Sequence, residues 1–304
     1  MKDLDTFLKV RESLVNFLRE DIGTGDLTSN SIISSDTYAR AKIICKAKKT
    51  AVVCGLEEAS MIFEMCKCKT KTFVKDGSLI KKGSIVMEII GKALSIMKGE
   101  RTALNLIMRM SGIATETRKF ITSIDDHSSS IRIASTRKTA PGLRFFDKKA
   151  VVIGGGETHR MRLDDMVLIK DNHISLVGSI EKAIKQARKN IGSSIKLECE
   201  ATTLEDAISA VNAGVDVIML DNFSPMEVTR TMQELSKRGI RDKSKVEVSG
   251  GIKLGNVKSY AKATPDIISI GYLTHSPKAV DFSLEVVERK KLMMNSQIIM
   301  KYDL

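Results

Sequence analysis

Aromatic side chains are scarce in this sequence, which has no Trp, four Tyr and nine Phe among its 304 residues. Proteins that hold single-stranded nucleic acids commonly stack the bases on aromatic rings, so this scarcity argues against that function. The formal net charge of +12 favours anionic ligands, but the Lys and Arg residues are spread along the chain without a basic arm. We therefore expect no nucleic-acid partner, and we expect many of these cations to form an ordinary solvated surface.

Paired cysteines and long apolar runs are also missing. The five cysteines form no C-x-x-C pair and lie in or beside apolar runs, which argues against a zinc site and favours a reducing compartment. No apolar run has the length of a membrane span, and residues 1 to 21 form an amphipathic, charged pattern rather than a signal peptide. These features predict a soluble, cytoplasmic protein with no membrane partner.

Six short apolar runs between residues 130 and 275 each lead to a polar residue or a glycine. In a parallel β/α barrel the strands are buried and apolar, and functional side chains collect at their carboxyl ends. Successive run ends are 21 to 32 residues apart, which leaves room for a crossover helix and is too long for hairpins. The pattern predicts a parallel barrel with strand ends at Lys138, Lys170, Glu200, Asp221, Ser249 and Gly271.

The segments between these runs have helical spacing. SIEKAIKQARKNIG places apolar residues three and four positions apart and is followed by the stop signal Gly192. TTLEDAISAVNAG offers Thr203 as an N-cap and Gly214 as a stop. We predict one helix over each segment.

The first third of the chain has a different organisation. Residues 1 to about 20 predict a helix, and REDIGTGDLTSN predicts a polar loop after it. Alternating apolar and basic residues then predict a small, mostly antiparallel sheet. GERTALNLIMRMSGIATETRKFITSI predicts a long helix, interrupted at Ser111–Gly112, where we place the domain boundary. The predicted domains are an amino-terminal domain over 1–112, the barrel over 113–276 and a tail over 277–304. The tail is predicted to contain a helix and a final strand and to pack back on the first domain.

The densest group of basic residues lies between residues 135 and 173. Guanidinium groups bind carboxylates through two parallel hydrogen bonds, and lysine supplies a compact charge for phosphate, so the predicted ligand carries several negative charges. Because Arg137, Lys138 and Lys170 lie where apolar strands end, we assign them to the site. Val151–Ile153 predicts a strand before the triple glycine that precedes His159. Taken singly, four other cations are interpreted as surface charges: Arg144, Lys148, Lys149 and Arg162.

Two acidic residues, Glu200 and Asp221, lie at consecutive strand ends, so their carboxylates should enter one cavity. Beside so many bases they predict a divalent metal site, stabilisation of a positive transition state, or both. The alternative is a pair of structural salt bridges to Lys138 and Lys170. Glu198 precedes Glu200 by two residues and shares its face of the strand, deeper in the barrel, and its role stays open.

The segments SGGIKLGNV, from Ser249, and IGYLTHS, from Ile270, are typical of the phosphate site of β/α barrels. There, backbone N–H groups after the last two strands and a short helix bind the anion. Gly250 and Gly251 allow close approach of the backbone. His275 is interpreted either as a donor to that phosphate or as a structural histidine.

Eight motifs between residues 19 and 276 closely resemble the quinolinate phosphoribosyltransferase family, whose members are also called nicotinate-nucleotide pyrophosphorylases (carboxylating). The resemblance implies an amino-terminal α/β sandwich domain and an incomplete parallel β/α barrel with fewer strands than the usual eight. It also implies a homodimer or higher homo-oligomer with shared active sites. The motifs are REDIGTGDLTS, GERTALNLIMRMSGIAT, STRKTAPGLR, GGGETHRMRLDDMVLIKDNHI, LECEATTLEDA, IMLDN, VSGGI and IGYLTHS.

The same resemblance implies roles for individual residues. Arg137, His159 and Arg160 are expected to bind the two carboxylates of quinolinate, together with Arg101 contributed across the dimer interface. The expected catalytic residues are Lys138 and Lys170, which line the junction of pyridine and phosphoribose, and Glu200 and Asp221, which contact the ribose and Mg²⁺. The residues expected around the 5-phosphate are Ser249, Gly250, Gly251, Gly271 and His275. Many family members have Asn where this sequence has Thr158.

The implied reaction joins the nitrogen of quinolinate to C1 of phosphoribosyl pyrophosphate, releases pyrophosphate and carbon dioxide, and leaves nicotinate mononucleotide for NAD biosynthesis. One alternative is a related transferase that uses nicotinate or another pyridine or pyrimidine acid; a monocarboxylate would leave part of the basic cluster unpaired, which favours a dicarboxylate. A second alternative is a non-catalytic nucleotide- or nucleic-acid-binding module, which would leave the strand-end acids without a purpose.

Overall fold

The computed structural model describes residues 4–124 and 130–291, so the last part of the predicted tail, residues 292–304, lies outside the described residues. The chain divides into two compact units, one of Met1–Gly112 with Lys278–Leu304 and one of Ile113–Pro277. None of the helices in the described ranges combines the length and the apolar character that crossing a bilayer requires.

The first unit contains a four-stranded antiparallel sheet. Its longest amino-terminal strand alternates in burial, with Ala39, Ala41, Ile43 and Cys45 buried, because successive side chains of a strand point to opposite faces. The sheet confirms the antiparallel prediction. In chain order the elements are α1 (Leu4–Ile22), α2 (Leu27–Ile32), β1 (Thr37–Cys45), β2 (Ala51–Val52), α3 (Leu56–Met65), β3 (Lys69–Thr72), β4 (Leu79–Ile80), β5 (Ile85–Lys92) and α4 (Ala93–Ile124).

Two predictions for this region are wrong. The predicted polar loop contains α2, which begins because the Asp26 side chain accepts a 2.9 Å hydrogen bond from the amide of Ser29. The predicted interruption at Ser111–Gly112 is absent from α4, which is one continuous helix. These two small residues serve close packing instead: the Ser111 hydroxyl bonds the backbone of Cys54, and a Cβ at Gly112 would overlap the carbonyl oxygen of Lys278.

The second unit is a six-stranded parallel sheet alternating with helices. Its elements are β6 (Arg132–Ala134), α5 (Arg144–Ile153), β7 (Val167–Ile169), α6 (Asp171–Val177), α7 (Ile180–Asn190), β8 (Leu197–Ala201), α8 (Leu204–Asn212), β9 (Val217–Asp221), α9 (Pro225–Lys237), β10 (Lys245–Ser249), α10 (Val257–Ala261), β11 (Ile267–Ser269) and α11 (Tyr272–His275).

The strand order is β6-β11-β10-β9-β8-β7, so the first strand of the unit lies beside the last and the sheet is open between β6 and β7. This arrangement confirms the predicted incomplete parallel β/α barrel. The predicted helices are present as α7 and α8, and the Thr203 side chain caps α8 by accepting from the amide of Asp206. The strand predicted at Val151–Ile153 is wrong, because these residues form the last turn of α5, whose buried face includes Phe146, Ala150 and Val151 itself.

After the second unit the chain returns to the first sheet as β12 (Phe282–Lys291), which pairs antiparallel with the full length of β1. The sheet order is therefore β12-β1-β5-β3. The helix predicted for the tail is absent from its described part, which is extended from Phe282 onward and gains a ladder of backbone hydrogen bonds with β1.

Candidate active site

The carboxyl ends of the barrel strands place the predicted polar side chains at one edge of the sheet. Lys170 directly follows β7, Glu200 lies one residue before the end of β8, and Asp221 and Ser249 end β9 and β10. Asp221 and Ser249 are register partners, and partners in a parallel ladder share a face of the sheet. These four residues, at the carboxyl-end mouth of the barrel, therefore come from four consecutive strands of the sheet order, β10-β9-β8-β7.

A cavity of about 170 Å³ opens beside the last two strands of the unit. Its walls include the ends of β10 and β11, the glycines after them and the first residues of α11. Six residues predicted to line the phosphoribose and phosphate site meet there: Lys138, Ser249, Gly250, Gly251, Gly271 and His275.

Gly250 has a backbone that only glycine accommodates at this position. Its φ is +93°, and a Cβ would overlap the Oδ1 atom of Asn222. Asn222 is itself left-handed, with φ +60°; its amide donates 2.9 Å to the Ser249 carbonyl and its side chain donates 2.8 Å to Asp221. The glycine therefore lets the Asn222 side chain hold the Asp221 carboxylate.

The far wall of the cavity is built around Gly271. A Cβ there would lie 3.1 Å from Cδ of Lys138 and 3.3 Å from Cδ2 of His275, so both side chains lie against this glycine. The Thr274 hydroxyl donates 2.8 Å to the Lys138 carbonyl. His275 is exposed, and its Nδ1 lies 2.6 Å from Oγ of Ser276.

Lys170 Nζ donates a hydrogen bond to Glu200 Oε1. Glu200 is nearly buried, whereas about half of the Lys170 side chain is in solvent. One of the salt bridges in the structural alternative is therefore present. The Asp221 carboxylate instead accepts a hydrogen bond from the side-chain amide of Asn222.

The turn Thr158–Arg160 is held by the side chain of Lys148. Its Nζ donates to the carbonyl oxygens of Thr158 and Arg160, and Ser135 Oγ donates 3.0 Å to the same Thr158 oxygen. His159 between them has φ +51°, a left-handed conformation that costs a non-glycine residue about 1–2 kcal/mol. Several hydrogen bonds thus hold a turn that is unfavourable by itself.

The surface interpretation of Lys148 is wrong, because its side chain is fully buried. Burial first, and then the positive charges of Arg144 and other neighbours, lower the pKa of Lys148 to about 8. The Lys148 side chain points from α5 toward the Thr158–Arg160 turn and away from solvent. Arg162, by contrast, is exposed and pairs with Asp164, as interpreted from the sequence.

The imidazole of His159 is directed at two buried carboxylates. Its Nε2 lies 3.1 Å from Oε2 of Glu247 and 3.2 Å from Oε2 of Glu198. Burial lowers the pKa of His159, but the hydrogen bonds and charges of these acids outweigh it, so they raise the pKa and favour a proton on Nε2. Burial raises the pKa of Glu198 to about 7. The Nδ1 atom of His159 accepts a 2.8 Å hydrogen bond from the backbone amide of Arg160, so both ring nitrogens have protein partners.

Arg137 and Arg160 form the cationic part of the site. Arg160 is nearly buried, and burial followed by the charge of Arg137 lowers its pKa. The Nε of Arg137 is buried and, among the described residues, has no hydrogen-bond partner. Two neighbouring guanidinium groups with an unused buried donor have the chemistry to bind a carboxylate. Arg101 is exposed on α4, in the first unit.

Sequence reasoning missed Glu247 and Lys148. Glu247 lies in the run KVEVS two residues before Ser249, so strand alternation places both on the inner face, and a charge inside a buried strand was the available signal. Lys148 follows the buried Phe146 and Asp147 on α5, but its burial depends on the packing of that helix, which a strand prediction at Val151–Ile153 obscured.

Comparisons with known proteins agree with this architecture over nearly the whole chain. The family model described as "Quinolinate phosphoribosyl transferase, N-terminal domain" matches residues 26–111, and its C-terminal counterpart matches residues 113–285. A probable nicotinate-nucleotide pyrophosphorylase (carboxylating) of Methanothermobacter thermautotrophicus is 43% identical over 269 residues, 88% of this chain and 96% of the relative. Its counterpart in Bacillus subtilis is 41% identical over 281 residues, 92% and 94% of the two chains. The crystal structure of NadC from Streptococcus pyogenes aligns with a TM-score of 0.86 at 35% identity, covering 96% of this chain and all of that one.

Proposed function

The chain belongs to the quinolinate phosphoribosyltransferase family, pentosyltransferases of NAD biosynthesis, and we propose that its barrel mouth transfers phosphoribose from phosphoribosyl pyrophosphate to quinolinate with loss of carbon dioxide. The products are nicotinate mononucleotide, pyrophosphate and carbon dioxide. The observation that supports this assignment to the mouth is the adjacency of two binding functions: Arg137 offers a buried, unpaired donor, while the next residue, Lys138, lines the cavity expected to take the 5-phosphate.

Quinolinate binds through its two carboxylates. Arg137 and Arg160 supply planar donors, and Arg101 of a second subunit completes the set. Because both nitrogens of the His159 ring are already bonded inside the protein, His159 contributes through the shape of the Thr158–Arg160 turn. A monocarboxylate would leave part of this cluster buried and unpaired, which selects the dicarboxylate.

The phosphoribosyl group lies across the cavity beside the last two strands. Backbone N–H groups at Ser249, Gly250 and Gly251 and the start of α11 at Gly271 surround the 5-phosphate, with His275 at the rim. Lys138 and Lys170 flank the bond that forms between the pyridine nitrogen and C1. As pyrophosphate departs, positive charge grows on the ribose, and the Glu200 and Asp221 carboxylates stabilise it.

Glu200 and Asp221 fit a magnesium ion. Their donors are carboxylate oxygens on neighbouring strands, and Mg²⁺ is typically held by one or two protein carboxylates together with substrate phosphates and water. When bound, the ion neutralises the charge of the leaving pyrophosphate. The protein residues position the two substrates. After transfer, the positive pyridinium nitrogen stabilises the carbanion left at C2 when carbon dioxide leaves, and a proton from solvent then adds at C2.

The proposed site is shared between two copies of the chain. Arg101 is exposed on α4, and we assign it to the quinolinate site of the partner subunit. Mixing two inactive variants tests this. Arg101→Ala and Lys170→Ala are each expected to be inactive alone, whereas a refolded equimolar mixture regains about a quarter of wild-type activity, because half of the dimers are mixed and each contains one intact site. No recovery in verified mixed dimers would refute sharing.

The reaction itself is tested with purified protein, Mg²⁺, phosphoribosyl pyrophosphate and either quinolinate or nicotinate. Nicotinate mononucleotide and labelled carbon dioxide are expected with quinolinate and not with nicotinate. Arg160→Ala should abolish quinolinate turnover, while the exposed Arg162→Ala, the same change two residues away, should leave it intact. Product from nicotinate alone would transfer the assignment to a monocarboxylate substrate.

A further inference from the structure

Glu247 lies outside the groups that the proposed reaction uses. It is fully buried on β10, and its Oε2 is 3.1 Å from Nε2 of His159. Its other oxygen, Oε1, has no hydrogen-bond partner among the described residues. Glu198, on β8, is equally buried and approaches the same nitrogen at 3.2 Å. Burying a carboxylate costs free energy. Because the described hydrogen-bond partner of Glu247 is the His159 ring, we look for the role of Glu247 in that contact.

These three side chains could be read as a metal site, because a ligand atom from each lies within 4.8 Å of the others. The other ring nitrogen excludes this reading. The Arg160 amide donates 2.8 Å to Nδ1, so Nδ1 uses its lone pair and the ring proton lies on Nε2. A protonated Nε2 cannot bind a metal and instead donates to Glu247 Oε2, with Glu198 Oε2 beside it at 3.2 Å. The cluster is therefore a hydrogen-bonded anchor for the imidazole.

The anchor acts on a backbone that is held in an unfavourable conformation. His159 is left-handed, and Lys148 holds the carbonyl oxygens on either side of it. The backbone is thus fixed from α5, and the ring is fixed from β10 and β8. Arg160 follows directly, nearly buried and beside Arg137, so its direction depends on this turn.

We propose that Glu247 is a positioning residue for the dicarboxylate: by accepting from Nε2 of His159 it fixes the left-handed turn and so directs Arg160 at a carboxylate of quinolinate. The inference rests on the proposed function. The proposal predicts that Glu247 affects the binding of quinolinate and leaves the phosphate cavity unaffected. The residues that line this cavity do not include Glu247, His159 or Arg160.

Steady-state kinetics of Glu247→Ala and Glu247→Gln test the proposal. Glu247→Ala should raise KM for quinolinate about tenfold or more, with KM for phosphoribosyl pyrophosphate changed less than about twofold. Glu247→Gln keeps an acceptor for Nε2 and should recover most of the quinolinate affinity. The matched control is Glu58→Gln, the same change at a buried carboxylate of the first unit, which should leave both KM values unaltered. Equal changes in the two KM values, or Gln no better than Ala, would overturn the proposal.

A second measurement keeps the proposal testable if the Ala variant does not fold. ¹⁵N NMR of histidine-labelled protein, which has four histidines, should show a ring protonated at Nε2 and not at Nδ1 whose signal is present in wild type and disappears in His159→Gln, whereas the ring of His173, whose Nδ1 also accepts from a backbone amide, should be unchanged. Stoichiometric bound metal, or a protonated Nδ1 on that ring, would overturn the anchor. Absence of quinolinate turnover by the wild-type protein would instead refute the proposed function. The NMR experiment would still test the contact between His159 and Glu247, because it does not depend on activity.

Discussion

Lys148 Nζ donates a 2.6 Å hydrogen bond to the carbonyl oxygen of Arg160, which joins a buried cation on α5 to the Thr158–Arg160 turn. The lysine also donates to Thr158. A fully buried ammonium is costly, and here burial lowers its pKa to about 8. The cost of burying this ammonium group is offset by its hydrogen bonds to two carbonyl oxygens.

Lys148→Met is expected to lower kcat/KM for quinolinate by about tenfold or more, since two buried carbonyl groups lose their donor and the turn is released. The exposed Lys185→Met, on α7, should be neutral. Parallel assays of the two variants at saturating phosphoribosyl pyrophosphate measure the difference. If Lys148→Met retained its quinolinate kinetics, the bridge would have no part in binding.

The same residue predicts a pH dependence of stability. Between pH 8 and its ordinary pKa of 10.5, the native state has lost the Lys148 proton that the unfolded chain keeps, so the unfolded state binds more protons and the contribution of Lys148 to the free energy of unfolding rises with pH. The difference in unfolding free energy between wild type and Lys148→Met should grow in favour of wild type from pH 8 to 10. Urea denaturation at several pH values measures it; a constant difference would mean an ordinary lysine.

Gly250→Ala should damage the phosphate loop, because a Cβ would overlap the Asn222 side chain and φ is +93°. We expect kcat/KM for phosphoribosyl pyrophosphate to fall about 100-fold, the size of effect that a 1 Å displacement of a positioning group produces. Gly255→Ala is the matched control, since no atom lies within 4 Å of its Cβ and its φ is not positive. Similar kinetics for the two variants would contradict the role of Gly250.

Lys170 and Glu200 should be energetically coupled in catalysis. Lys170→Met and Glu200→Gln are each expected to lower kcat/KM about 100-fold, and the double variant should lose less than the product of the two, because each change already breaks their hydrogen bond. The surface pair Arg238–Glu234 on α9 offers a control cycle with no expected change. Strict multiplicativity of the Lys170 and Glu200 effects would show that the pair acts as two independent groups.

Gly112→Ala tests the packing of the first unit. The added methyl group would overlap the Lys278 carbonyl oxygen, and overpacking of this kind costs about 1–3 kcal/mol. Thermal unfolding should begin at a lower temperature than in wild type. Gly192→Ala has open space around its Cβ and should have the same Tm as wild type; an unchanged Tm for Gly112→Ala would mean that the Lys278 backbone moves freely.

The barrel was predictable from local information. Its strands are buried on both faces, so they read as apolar runs, and their carboxyl ends are marked by side chains such as Glu200 and Asp221. The cap of α8 was equally local, because Thr203 and Asp206 are three residues apart. Features of this kind depend on neighbours in sequence, which is why they were visible without coordinates.

The errors arose where distant packing decides the structure. Ser111–Gly112 resembles a helix stop, yet α4 continues through it, and the neighbours of these two residues, Cys54 and Lys278, are far away in the chain. Val151–Ile153 is β-branched and matches a strand, but it ends a helix whose buried face, Phe146, Ala150 and Val151, packs against parts of the chain distant in sequence. The contact of His159 with Glu247 joins residues 88 apart, and no spacing rule identifies such a pair.

The pairing of β1 with β12 also determines the order in which a growing chain can complete its structure. β1 ends at Cys45, but its neighbour begins only at Phe282, after every strand of the barrel. During synthesis on the ribosome the barrel segment is contiguous and can finish folding first, while one side of β1 keeps its backbone N–H and C=O groups unpaired. An open strand edge is a template for association with other chains, so nascent protein that lacks residues 282–291 should be the species most dependent on chaperones.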